Sequence, residues 1–353
     1  MKNLFIAGNP GSGKTAVALG LALKFKELGY RVGYFKPVDS GRKSASGKIP
    51  GGDAVLMKEV LGMDAPAGLI SPIMAGPAYL NKFGGKAGTI DEIMDAYQEV
   101  SGGYDIMLME GAVYPFALAS VGLDSAILAR KLDSLLVNVL KVEDDYSLDQ
   151  AIFYNSYMAC MQTPVAGTVF SNVTRTLLAK AEDIFRITLE EKGYKTLGII
   201  PSRPEIAAPT VGEYQERLGG EVLVGHEHMD RLVEDVIVGA MTMDSALTYL
   251  RRSANKAVVL GGDRADLALA ALETHTSVLI LTGGLYPDVK VLSRAGEKGV
   301  PVLLTHQDTY TVIEMLGQVS RHIKPTDKVG ISIAMDNINR YCDWQYLLKA
   351  LDS

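Results

Sequence analysis

Residues 8–15 read Gly8-Asn9-Pro10-Gly11-Ser12-Gly13-Lys14-Thr15, the pattern G-x-x-x-x-G-K-[ST] in full. The residue types explain the chemistry. Glycines let successive main-chain N–H groups turn inward onto one anion. A helix starting at the end of such a loop adds unpaired N–H groups and the positive end of its dipole. Lys14 can reach the β- and γ-phosphates of a nucleotide, and the Thr15 hydroxyl can face Mg²⁺. The pattern predicts nucleotide binding through Gly8, Asn9, Gly11, Ser12, Gly13, Lys14, Thr15 and Ala16. A chance glycine-rich turn would share the composition. It would not also have an apolar run at 3–7 before it and an Ala/Leu-rich stretch at 15–28 after it.

Those flanks belong to a rhythm that continues along the chain. Short apolar runs at 3–7, 31–36, 105–110, 134–140, 165–170 and 196–200 alternate with amphipathic stretches. The alternation predicts an α/β fold: a parallel P-loop sheet with helices on both faces, followed by a smaller α/β domain. Gly29 and Gly193 read as left-handed stops for helices at 15–28 and 174–192. Residues 37–52 and 62–88 are Gly-rich excursions without periodicity. Three prolines within 201–209 predict an extended linker. Strands then restart at 221–224, 235–240, 257–260, 277–281 and 301–304. The expected domains are 1–205 and 210–325, with a tail at 326–353 that is helical over 337–351.

Composition narrows the function classes. The formal net charge is −6, which offers no basic face for nucleic acid. Two cysteines, Cys160 and Cys342, make no disulfide framework or zinc pattern and fit a reducing cytoplasm. The apolar start is too short for a signal-peptide core. No apolar run reaches the roughly 18 residues of a membrane-spanning helix. The expectation is a cytoplasmic protein without nucleic-acid or membrane partners.

Several segments resemble a known family. Tyr34-Phe35-Lys36-Pro37-Val38-Asp39-Ser40-Gly41, Met109-Glu110-Gly111 and Ser171-Asn172 follow the phosphate loop in the order seen in dethiobiotin synthetase, a fold shared with cobyrinic acid a,c-diamide synthase. The whole arrangement resembles the N-terminal portion of long phosphotransacetylases, over roughly residues 1–320. Their acyltransferase domain has no counterpart in this chain. The resemblance implies ATP and Mg²⁺ as cofactors. It implies that Lys36 and Ser40 face the phosphoryl-transfer centre, where a lysine neutralises growing charge. It also implies that Asp53 and Glu110 complete the Mg²⁺ shell begun by Thr15, and that Asn172 reads the base. The last-strand segment Gly198-Ile199-Ile200-Pro201 would pack near that base. Asp53 as a helix N-cap and Asn172 as a turn residue remain open alternatives. After Glu110 the family continues Gly-Ala-Gly-Gly, whereas this chain reads Gly111-Ala112-Val113-Tyr114, which changes the space offered to a carboxylic substrate.

In the second domain, Gly261-Gly262-Asp263-Arg264 and Leu281-Thr282-Gly283-Gly284 resemble a DRTGG domain. Paired glycines suit either close ligand approach or tight turns. Two functions follow. The first is ATP-dependent phosphoryl transfer to a small carboxylate or carbamate, with Lys14 and Lys36 as the catalytic cations. The second is a nucleotide sensor acting on an acyltransferase or another metabolic partner through the second domain; under either function the expected assembly is a homodimer.

Overall fold

The structure is a computed structural model that describes residues 1–39, 43–44, 47–48, 52–76, 78–83, 89–317, 319 and 321–352. The chain folds as two units, 1–202 with 323–353, and 203–322. The main elements of the first unit, before the chain enters the second, are β1 (Lys2–Gly8), α1 (Lys14–Glu27), β2 (Val32–Phe35), α2 (Gly52–Leu61), β3 (Ile106–Glu110), α3 (Ser125–Lys131), β4 (Leu135–Lys141), α4 (Tyr146–Cys160), β5 (Val165–Val173) and β6 (Thr196–Pro201). The six strands form one parallel sheet in the order β6-β5-β4-β1-β3-β2. Strands covered on both faces read as unbroken apolar runs, which is why Leu4 to Ala7 and Ile106 to Met109 are fully buried.

Register carries the sheet into function. Ile6 pairs with Glu110, Gly8 with Val139, and Phe35 with Met109. The ends of β1, β2 and β3 therefore lie side by side at the carboxyl edge, where ligands bind in open α/β sheets. The β5 strand runs three residues past the expected 165–170, because Val173 still pairs with Pro201. The helix expected at 174–192 is broken into Leu178–Lys180, a π-helical turn Ala181–Phe185 and Arg186–Glu191.

The second unit contains α5 (Val211–Leu218), β7 (Glu221–Val224), β8 (Asp235–Val238), α6 (Met243–Leu250), β9 (Lys256–Gly261), α7 (Ala265–Leu272), β10 (Thr276–Thr282), α8 (Val289–Lys298), β11 (Val302–Leu304) and α9 (Thr309–Leu316). The strand order is β7-β11-β10-β9-β8, parallel except for β7. Alternate residues feed two cores. Val258, Leu260, Leu279 and Leu281 join the core that includes residues of α6, α7 and α8. Ala257, Val259, Val278 and Ile280 join residues of α5 and α9.

Two expectations need correcting. The stretch 201–209 is not wholly extended: Pro204–Ala207 forms one helical turn, with proline at a first-turn position that needs no N–H. The tail is two helices, α10 (Lys328–Tyr341) and α11 (Trp344–Ala350), not one over 337–351. The break occurs where Cys342 bridges Gly198 and the Asp343 N–H donates to Leu197 O at 2.7 Å. The chain stops being helical there to hydrogen-bond edge strand β6, which covers that edge. α1 is apolar almost all round because it has two partners: the sheet on one side and α10 on the other.

Candidate functional site

The loop between β1 and α1 is shaped by close approach and by handedness. A Cβ on Gly8 would stand 1.9 Å from the Val139 carbonyl oxygen, so the backbone passes tight against β4. Gly11 and Gly13 have φ of 66° and 73°, the left-handed region that glycine enters without strain. Ser12 is buried, and its hydroxyl has no hydrogen-bond partner among the described residues. Its carbonyl accepts from the Ser171 hydroxyl at the end of β5. Asn9 is a brace: its Oδ1 accepts from the Lys141 N–H at 3.1 Å, and its Nδ2 donates to Gln150 Oε1 on α4 at 3.2 Å.

Lys14 folds back over the loop and donates to the carbonyls of Asn9 and Gly8 at 3.0 and 3.3 Å. Burial lowers its pKa to about 8, against the opposing pull of Glu110. A buried ammonium resting on loop carbonyls and an unpartnered buried hydroxyl fit a polyphosphate, whose charge would satisfy both.

Beside the loop, β3 delivers Glu110 into the core at 2% exposure. Its Oε1 accepts from Thr15 Oγ1 at 3.1 Å and from Lys36 Nζ at 3.0 Å, and its Oε2 accepts from the Tyr34 hydroxyl at 2.9 Å. Lys36 is also ion-paired with Asp53 in the first turn of α2. Burial opposes the charge on Lys36, yet Glu110, Asp53 and Asp39 outweigh it and hold its pKa well above the ordinary lysine value. Burial, with Glu110 and Asp53, likewise raises the Tyr34 phenol well above its usual value, so it remains a neutral donor. Two carboxylates and a hydroxyl make a hard oxygen set that fits Mg²⁺, which takes one or two carboxylates beside substrate phosphates.

The structure thus brings together five residues singled out in the sequence: Lys14, Thr15, Lys36, Asp53 and Glu110. Ala16, half-buried, follows in the first turn of α1. Asn172 stands apart from the carboxylates. It is at the end of β5, half-buried, with φ 55°, beside the Ser171 that touches the loop. Ser40 lies outside the described residues. Gly198 has a use that the motif does not show: a Cβ there would come 2.4 Å from the Tyr341 carbonyl oxygen, so it faces the tail. Sequence reasoning missed the role of Tyr34, although its place two residues before Lys36 puts both on one face of the strand. It also missed Gln150, for which no sequence signal exists.

After Glu110, Gly111 packs against the Ser125 hydroxyl, and the chain then emerges with Val113, Tyr114 and Phe116 exposed. Tyr114 and Phe116 stack at 5.1 Å. In the second unit the paired glycines pack against neighbouring turns. A Cβ on Gly262 would meet the Leu285 carbonyl oxygen at 1.7 Å, and one on Gly284 the His306 ring at 2.5 Å. The N–H groups of Gly283 and Gly284 donate to Gln307 O and Thr305 O.

Comparison with known proteins agrees with this architecture. Residues 2–210 match the AAA domain family, and residues 213–319 match the DRTGG domain. The chain belongs to the AAA domain family, a P-loop class, and carries a DRTGG domain after it. The phosphate acetyltransferase of Pseudomonas putida is 26% identical over 98% of this chain and 51% of that protein. The ATP-dependent dethiobiotin synthetase of Bacillus cereus is 27% identical over 54% of this chain and 78% of that protein. The chain therefore spans about half the length of the phosphate acetyltransferases it matches. Among solved structures, the CBS and DRTGG domains of the Clostridium perfringens pyrophosphatase regulatory region, complexed with diadenosine tetraphosphate, align at 16% identity and TM-score 0.30. That alignment covers 48% of this chain and 86% of the other. No helix among the described residues is long and apolar enough to cross a membrane.

Proposed function

We propose that the first unit binds ATP with Mg²⁺ and directs the γ-phosphoryl group to a small carboxylate or carbamate. The observation that carries this reading is the convergence of Lys14, Thr15, Lys36, Asp53 and Glu110 on the carboxyl edge of β1, β2 and β3. Gly8, Asn9, Gly11, Ser12, Gly13 and Ala16 would surround the phosphates through the main chain, with Lys14 against the β- and γ-phosphates. Thr15, Asp53 and Glu110 would hold the cation, which when bound neutralises charge on the phosphate oxygens. Lys36 would meet the charge of the transferring group, and Asn172 would hydrogen-bond the base. Such a site works by positioning and charge neutralisation, since phosphate supplies the covalent chemistry.

Calorimetric titration with Mg·ATP tests the binding. Saturable binding that Lys14→Ala abolishes supports it; unchanged binding by the variant removes the loop assignment. Turnover is tested by phosphate release across a panel of small carboxylates and amines.

A second reading rests on the turn after Glu110, where Val113 and Tyr114 stand exposed at 47% and 39%. Here the protein senses ATP and passes its state to an acyltransferase partner through the DRTGG domain, as a homodimer. Tight ATP binding with no acceptor-stimulated turnover would favour this reading.

A further inference from the structure

We propose that Tyr34 is a positioning residue that divides the Glu110 carboxylate: it pins Oε2 in the core, so that Oε1 is the oxygen for which Lys36 and an incoming divalent cation compete. The inference rests on the nucleotide reading above and adds a rule for how that site loads.

The geometry is specific. Tyr34 is fully buried on β2, opposite Leu108 of β3. Its hydroxyl donates to Oε2 at 2.9 Å. The terminal torsion of a glutamate is broad, so a carboxylate held at one end only would sample many orientations. Tyr34 removes that freedom from a side chain already fixed by β3. Oε1 is left facing the Thr15 hydroxyl at 3.1 Å and the Lys36 ammonium at 3.0 Å.

Lys36 in turn lies against both carboxylates, Asp53 and Glu110. These are the carboxylates assigned to the cation. An ammonium and a divalent cation cannot share the same oxygens without repulsion, so Lys36 guards the position while the phosphates are absent. A bound nucleotide offers Lys36 a substitute partner in its terminal phosphate. The cation should therefore bind poorly alone and well with the nucleotide, and its arrival frees Lys36 for the transferring group.

Mn²⁺ serves as the probe, with free ion counted by its electron-spin resonance signal, on the full chain with and without a non-hydrolysable ATP analogue. Tyr34→Phe should weaken Mn²⁺ binding in the presence of the analogue by about tenfold, the order of a lost hydrogen bond to a charged group. Its affinity for the analogue in EDTA should stay within about twofold of the parent, because no phosphate contact is touched. A merely structural role would weaken both. Lys36→Met should bind Mn²⁺ without nucleotide at least about tenfold more tightly than the parent, since the competing charge is gone. Should that variant melt below the assay temperature, Lys36→Arg asks the same question. A guanidinium fork gripping both carboxylates should exclude Mn²⁺ more strongly than lysine does. Parental Mn²⁺ affinity in Tyr34→Phe, or no tightening in Lys36→Met, or no weakening in Lys36→Arg, overturns the proposal. Failure of the parent to bind the analogue at all would instead sink the nucleotide reading, and the nucleotide-free arm would still decide the competition.

Discussion

Gly20 in α1 lies against Ala334 in α10 so closely that a Cβ at position 20 would stand 2.3 Å from the Ala334 carbonyl oxygen. The helix that begins at the phosphate loop is therefore also the seat of the tail. Backbone cannot yield as a side-chain tip can, so Gly20→Ala should cost roughly 1–3 kcal/mol despite the better helix propensity of alanine. The only tryptophan of the chain reports it. Trp344 opens α11, and Lys24 of α1 stands 4.7 Å from its ring centroid. The variant should shift Trp344 emission toward that of an exposed indole and speed amide exchange over 328–341. Unchanged emission and exchange would mean that α10 packs elsewhere.

This relationship also marks where sequence reading stops. The loop at 8–15 and the strand–helix rhythm are local patterns, and both are legible residue by residue. Lys36 and Glu110 are legible as strand ends, but their contact needs the register that pairs Phe35 with Met109. The Tyr34 hydroxyl looks in sequence like any apolar strand residue, because alternation reports burial and not the atom waiting at the other side. The Asn9–Gln150 contact spans 141 positions and has no period at all. The break between α10 and α11 has one local mark, Asp343, whose side chain caps α11 by accepting from the Tyr346 N–H, but the pairing with edge strand β6 that holds it open is not visible in 337–351.

Removing the charge of Glu110 separates its structural from its chemical part. Glu110→Gln leaves Lys36 with Asp53, yet breaks one arm of a buried ion pair, at a cost of roughly 3 kcal/mol to the nucleotide-free protein. The pKa of Lys36 is raised on folding, so its stabilising contribution is complete below the unfolded lysine value and is lost only as pH climbs through the higher folded value. Glu110 also holds up the pKa of Lys14, so the comparison is made in a Lys14→Met background, where chemical denaturation with and without Glu110→Gln should differ by the same amount at pH 6 and at pH 9. A gap that closes within that window would show that Lys36 gives up its proton once Glu110 is neutral, so that Asp53 and Asp39 do not hold it charged without Glu110.

Lys14 carries the opposite sign. Its pKa is about 8 in the folded protein without ligand, below the ordinary lysine value, because burial disfavours the charge. Below pH 8 it is already protonated, and nucleotide affinity should not change on its account. Above pH 8 binding must take up a proton, so affinity should fall by up to about tenfold per pH unit until the pKa of the complex is reached. Stability without nucleotide moves the other way, rising above pH 8 as the unfolded chain keeps the proton longer. Calorimetry in buffers of different ionisation heat checks this directly: proton uptake near zero at pH 7 and approaching one at pH 9.

Asn172 combines a left-handed backbone with an amide side chain, and two substitutions pull these apart. Asn172→Gly keeps φ near 55° without strain and deletes only the amide. If the amide reads the base, this variant should bind ATP about tenfold more weakly and lose preference for adenine over guanine nucleotides. Asn172→Ala should add about 1 kcal/mol of backbone strain to the same loss. Parental affinity and preference in the glycine variant would make Asn172 a turn residue only.

The paired glycines of the second unit allow the bluntest test. Gly262 faces the Leu285 carbonyl oxygen, which a Cβ would meet at 1.7 Å, and both groups are main chain. Neither can rotate away, so Gly262→Ala must separate the turn after β9 from the turn after β10. The cost should reach about 3 kcal/mol, the upper range for overpacking. Amide exchange over 256–285 would report it as lost protection. Had the glycine been needed for a ligand to approach, the unliganded variant would fold as the parent does and differ only in binding. Parental exchange in Gly262→Ala would therefore reject the packing account and make the DRTGG turns candidate ligand sites again.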